Sequence, residues 1–174
     1  MFAKLKQRWK DTRTIMALSL DAEKRALQEG HKHPGAEHYT LAALDLEDGS
    51  ARRVFARIGV NPEAYRAALA SRHGDALSAM GLDGAAAATP NAEAPLPVPP
   101  SALFDAQPSG QSLMRRLPEL QQRLPAPLCG AHVLLAAASM AHSAAGRAFK
   151  AAGIDLNVLS SAAEAELRAV SQYR

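Results

Sequence analysis

Three histidines, His31, His33 and His38, fall within eight residues of one another. Imidazole nitrogen is a common zinc ligand, so this cluster is the first place to look for chemistry. His132, a later histidine in a comparable setting, has no second or third histidine beside it. The single cysteine, Cys129, has His132 as its only nearby base. A reactive thiol needs an activating partner and a depressed pKa, and a buried inert cysteine is the simpler reading. No other nucleophile, base and acid stand at useful spacing, and no Gly-x-x-x-x-Gly-Lys-Ser/Thr phosphate loop occurs. The chain therefore reads as a non-enzyme with no metal and no cofactor. The remaining candidates are groups that bind. Glu37 is an acid at an expected helix start, where the helix dipole favours it. Arg52, Arg53 and Arg57 fall on the exposed side of an expected helix, where they can meet an acidic partner or simply solvate.

The elements that position these residues read as helices. Apolar residues make up 48% of the 174, much of that alanine, and aromatics only 5%, which favours closely packed short helices over a sheet. Residues 12–29 place Ile15, Leu18, Ala22 and Ala26 on one stripe, and Gly30 stops the helix. Residues 37–46 are nearly all apolar, hence buried. Ala51, Val54, Phe55 and Ile58 follow the helical period, and Gly59 ends that run. Asn61 caps the next helix with Pro62 at its first position, and Val60 can staple onto Tyr65. Pro118 interrupts the stripe of Leu113, Leu117, Leu120 and Leu124, where a kink or a restart is expected.

The pattern occurs twice. His38 and His132, Phe55 and Phe149, Arg53 and Arg147, and Gly59 and Gly153 are each 94 residues apart, and Leu41 to Ala43 match Leu135 to Ala137 at the same offset. A gap-free match of this length signals an internal duplication. Between the copies lies an alanine- and proline-rich stretch that cannot form a continuous helix. The expected organisation is a first repeat at 1–80, a linker at 81–111 and a second, more distorted repeat at 112–174, both packing as one domain. In the linker, a turn around 102–106 is expected to dock on a neighbour, and 96–103 to plug a groove or to face a partner. The fold class expected is all-α, with eight helices as two four-helix repeats related by a pseudo-two-fold axis.

Charge excludes little. The formal charge is +3 and the pI about 9.2, a mild excess whose local source is the basic segment 1–13, read as a solvated helix start or tail. This does not point to nucleic acid. The apolar run 15–20 is too short for a signal peptide or a membrane span, and the single cysteine fits a reducing compartment, so a cytoplasmic protein without a membrane partner is expected.

The stretch Gly30-His31-Lys32-His33-Pro34-Gly35-Ala36-Glu37-His38-Tyr39-Thr40-Leu41 resembles the Clp N-terminal repeat, which reads Gly-His, a short loop, Gly-Thr-Glu-His and a leucine-rich helix. Residues 51–61 resemble its next helix and turn, and Met1-Phe2 with the bases after it look like the start of ClpC-type chains. In the second half only His132, Leu134-Leu135 and 147–155 keep the pattern. The resemblance implies a free-standing double-repeat domain of the kind found at the amino terminus of ClpA and ClpC AAA+ unfoldases. It implies protein partners, namely an unfoldase, an adaptor or client polypeptides. It makes Gly30, His31, His38, Gly59, His132 and Gly153 structural motif positions. In ClpC-type domains the motif glutamate binds phosphoarginine, with a threonine near the first helix start at the phosphate. Those roles fall here on Glu37 and Thr12, and a carboxylate can accept two parallel bonds from a guanidinium. The motif threonine, however, is Ala36, and the second repeat has Gly130 and Ala131 at the corresponding positions.

Overall fold

Glycines in the left-handed region set the phasing of this molecule, a computed structural model that describes residues 2–79 and 105–172, with side chains at 5–72 and 105–172. Gly59 (φ 68°) and Gly153 (φ 75°) each close a helix with the same pair of bonds. Val60 N–H reaches Phe55 O and Gly59 N–H reaches Ala56 O; Ile154 reaches Phe149 and Gly153 reaches Lys150 in the same way. This is a Schellman ending, which needs a residue without a Cβ at the left-handed position.

Among the described residues the chain is all-helical, with eight helices and no strand. They are α1 (Phe2–Gln28), α2 (Ala36–Asp45), α3 (Ser50–Arg57), α4 (Pro62–Ala79), α5 (Pro108–Arg123), α6 (Gly130–Ala138), α7 (Ala144–Ala151) and α8 (Leu156–Gln172). The starts of α2 and α6, α3 and α7, and α4 and α8 are each 94 residues apart. Asn61 Oδ1 accepts the Glu63 N–H at 3.0 Å to cap α4, and Asp155 Oδ1 accepts the Asn157 N–H at 2.8 Å to cap α8.

The core lies around α2 and α6, which pack on each other and are buried over nearly their whole length. Around this pair the contacts exchange between halves: α3 packs on α8, and α7 on α4. Phe55 and Phe149, equivalent by the offset, meet each other at 6.4 Å between centroids, and Tyr65 of α4 stacks on Phe149 at 4.4 Å. One shared hydrophobic core therefore joins both halves.

Three features differ from the sequence reading. The first helix begins at Phe2, not near Thr12, so the basic segment is its opening turns. No Pro or Gly interrupts these residues, and Asp11 ties them down by accepting Leu128 N–H and Gln121 Nε2–H, both at 2.9 Å. Helix α5 passes through Pro118 without a restart, because Leu113 and Leu117 on its buried face hold it to the core. It opens at Pro108, inside the stretch read as linker, with the proline at its first turn, where a missing donor is harmless. The proposed plug at 96–103 lies outside the described residues. Of the turn expected at 102–106, Asp105 and Ala106 are described, and Ala106 is buried.

Candidate functional site

The start of α2 is built around His38, which is fully buried. Its Nδ1 accepts the Gly35 N–H at 2.9 Å, reaching back as a capping side chain does. A backbone N–H can only donate, so Nδ1 carries no proton and Nε2–H donates to the Glu29 carboxylate at 2.9 Å. His31 Nδ1 lies 3.4 Å from that Nε2 and 3.8 Å from Glu29. Glu29, His31 and His38 thus bring potential ligand atoms within 4.8 Å of one another. His33 is elsewhere, 3.8 Å from Asp105. A metal on His38 Nε2 would require a proton on Nδ1 and the loss of the Gly35 bond, so the tautomer favours an anchor between the end of α1 and the start of α2.

Glu37 sits beside this anchor, 5% exposed. Its carboxylate lies over Gly35, where any Cβ would meet Oε1 at 2.5 Å. Oε1 is 3.5 Å from His38 Nδ1, which has no proton to give, and the buried Oε2 has no hydrogen-bond partner. Thr12 is not at this place. It lies inside α1, exposed, with its hydroxyl donating to Arg8 O at 2.9 Å. The start of α2 instead meets the start of α5. Ser109 Oγ accepts the Ala36 N–H at 3.2 Å, Gln107 N–H donates to Pro34 O, and Gln107 Nε2 donates to His33 O. The stretch of α1 around Thr12 meets the other half, where Asp11 holds Leu128 just before α6. Counting along one repeat paired Thr12 with Glu37. The exchange between halves gives Glu37 the neighbourhood of Ser109 instead.

The start of α6 is closed. Gly130 N–H donates to Asp48 Oδ2 at 3.2 Å and Ala131 N–H to Ser50 Oγ at 2.9 Å, so side chains of the first half occupy this helix N-terminus. A Cβ on Gly130 would meet Ala43 O at 2.8 Å and the Ala51 methyl at 2.9 Å. A threonine at this position would not fit without a shift of the neighbouring helix. Cys129 Sγ is 3.4 Å from His132 Nδ1. Burial pushes the thiol up and the imidazole down, so both are held neutral, the opposite of an activated thiolate pair.

The arginines of α3 divide. Arg53 Nε donates to Glu166 Oε1 at 2.5 Å and Arg57 Nε to Oε2 at 3.0 Å, closing a clamp between α3 and α8. Arg53 also donates to Asp48 O. Burial raises the Glu166 pKa, but the hydrogen bonds and charges of Arg53 and Arg57 outweigh it and leave the carboxyl below its ordinary value. Only Arg52 of the three stands exposed with no such acid. No local signal in the chain marks Ser109, Glu29, Asp48 or Glu166 as partners, and Glu166 is 113 residues from Arg53.

Two surfaces remain. One is an open cleft of about 770 Å³ where α1, the turn at 46–48, the loop at 127–129 and the end of α8 meet. Lys10, Arg13 and Arg53 line it together with Asp21, Asp45, Glu47 and Asp48. The other is the outer face of α1, where Leu5, Trp9, Met16, Leu20 and Leu27 are each about half exposed or more. No helix among the described residues is long and apolar enough to cross a membrane.

Comparison with curated proteins and with solved structures returned no match. Residues 12–96 match the model of the Clp repeat (R) N-terminal domain. That stretch contains the Gly30 turn, the His38 anchor and helices α2 to α4, and it ends before α5. That domain is a helical interaction domain, and the match suggests a Clp-associated role in protein interaction. Residues 12–96, just under half of the chain, thus carry the Clp repeat N-terminal domain signature.

Proposed function

We propose that the chain binds adaptor or client polypeptides of Clp-type proteolysis in the cleft between α1, the turn at 46–48 and the loop at 127–129, without hydrolysing ATP itself. The cleft carries this reading. It draws residues from both repeats, its size accepts a short stretch of extended peptide, and its mixed charge suits a main chain that offers both donors and acceptors. The two repeats act as one domain in this reading, and the single cysteine fits a cytoplasmic setting. The test is calorimetric titration of the full chain with a purified Clp-type unfoldase or its adaptor. Saturable binding, weakened at least tenfold by Glu47→Lys at the exposed cleft rim and without ATP turnover, is expected. Binding indifferent to that reversal would exclude the cleft.

A second reading is a receptor that sequesters phosphoarginine-marked proteins. It is favoured by the buried, unpartnered Oε2 of Glu37 beside Ser109 at the start of α5. A carboxylate can hold the guanidinium, and a helix N-terminus can hold the phosphate. Titration with free phosphoarginine decides it: no binding, or binding unchanged by Glu37→Ala, removes this reading.

A further inference from the structure

The inner face of α1 is occupied by Leu18, Ala22 and Ala26, all fully buried. Its outer face is also apolar. Leu5 is 69% exposed, Trp9 64%, Met16 48%, Leu20 54% and Leu27 49%. They follow one another in steps of four and seven, so that Leu5, Met16 and Leu27, and likewise Trp9 and Leu20, recur at eleven residues. Eleven residues are close to three helical turns, so such a row does not drift around the helix. At about 100° per residue the five side chains fall within about 60° of arc, and the row is about 33 Å long at 1.5 Å per residue. One edge is basic: Lys6, Arg13 and Lys24 lie within about 20° of one another on it. All three are exposed, and the Arg13 guanidinium sits 5.2 Å over the Trp9 ring. The other edge carries Thr12 and Glu23.

We propose that this face of α1 is a docking seam for one amphipathic helix of a partner protein, apolar along its contact row and acidic along the edge that meets Lys6, Arg13 and Lys24. It shares with the cleft reading the premise that the ligand is a polypeptide, and the two surfaces adjoin at Arg13, which also lines the cleft, while the apolar row itself lies outside it. Exposed apolar rows of this size mark interaction sites in soluble proteins. The charge pattern disfavours a second copy of the chain. Antiparallel pairing about a two-fold axis places the same edge of each helix side by side, so the three bases of one copy would lie against those of the other. Parallel pairing offers them only Glu23. The narrowness of the row disfavours a lipid surface, because a helix lying in a membrane presents a broad apolar face, whereas a strip of about 60° is the width of a helix–helix seam.

Trp9 is the single tryptophan and lies in the row, so its fluorescence reports on docking. The probe is a tryptophan-free, 27-residue helical peptide with leucines in steps of four and seven and glutamates along one edge. A matched peptide carries lysines on that edge. The glutamate peptide is expected to bind saturably with a blue shift of Trp9, and the lysine peptide at least tenfold more weakly. Leu20→Ser, or Lys6→Glu with Lys24→Glu, should weaken the glutamate peptide at least tenfold. All these side chains are exposed, so circular dichroism should confirm an unchanged fold. Glu47→Lys should leave peptide binding intact, so the seam and the cleft fail separately. Absence of saturable binding, or equal binding of both peptides, overturns the proposal. So does a blue shift with phosphatidylserine-containing vesicles but not with peptide, or one that depends only on the concentration of the chain itself.

Discussion

The clamp on Glu166 leads to an unequal pair of mutations. Glu166 is the buried member, with its side chain 4% exposed, whereas Arg53 and Arg57 are 52% and 44% exposed. In Glu166→Gln the arginines lose a charge partner but turn into water that already reaches them. The loss is that of charge-assisted bonds near the surface, reduced by screening, at about 1–2 kcal/mol. In Arg53→Met with Arg57→Met the carboxylate stays buried without a partner. Stranding a buried charge costs about 3–5 kcal/mol. At about 2–4 °C per kcal/mol for a chain of this length, the double arginine variant should melt at least about 6 °C below the wild type, and Glu166→Gln a few degrees below it. Urea titration should show the same order in the midpoint with an unchanged slope. In the triple variant no charge is stranded, so it should recover part of the loss, with a coupling of about 1–3 kcal/mol. The acid limb supplies an internal check. The folded Glu166 pKa lies below its ordinary value, so its contribution is complete above the unfolded pKa and disappears as pH falls through the folded one. Glu166→Gln should flatten that limb. An arginine pair that costs no more than Glu166→Gln, or additive losses in the triple variant, would refute the reasoning.

Other positions give sharper tests of the packing. Gly130→Ala should destabilise by about 1–3 kcal/mol in urea, because the new methyl meets Ala43 O and Ala51 and the central helices must part; a neutral result would mean that they can shift freely. His132 is held neutral by burial, with its pKa below the ordinary histidine value, so its contribution is complete above about pH 6.5 and is lost as pH falls through the folded pKa. His132→Gln should remove that part of the pH dependence in melting experiments. For His38, nitrogen NMR should show a bare Nδ1 and a protonated Nε2, unmoved by equimolar zinc; a zinc-induced shift on Nε2 would turn the Glu29, His31 and His38 group into a ligand set.

The sequence by itself determined what is local and periodic. The glycines at 59 and 153, the caps at Asn61 and Asp155, the buried runs that became α2 and α6, and the offset of 94 residues all follow from backbone stereochemistry and helical period, which act over a few residues. The same local rules misplaced the start of α1 and allowed a kink or a restart at Pro118, where the helix does not restart, because tertiary contacts through Asp11, Leu113 and Leu117 override weak local preferences. Which residues meet across the halves was decided only by the folded arrangement. Ser109 rather than Thr12 stands beside the start of α2, Asp48 closes the start of α6, and Glu166 takes two arginines that look solvent-facing from their own helix. These partners are brought together by the packing of α2 on α6, and a contact spanning 73 to 113 residues leaves no spacing in the chain from which it could be read.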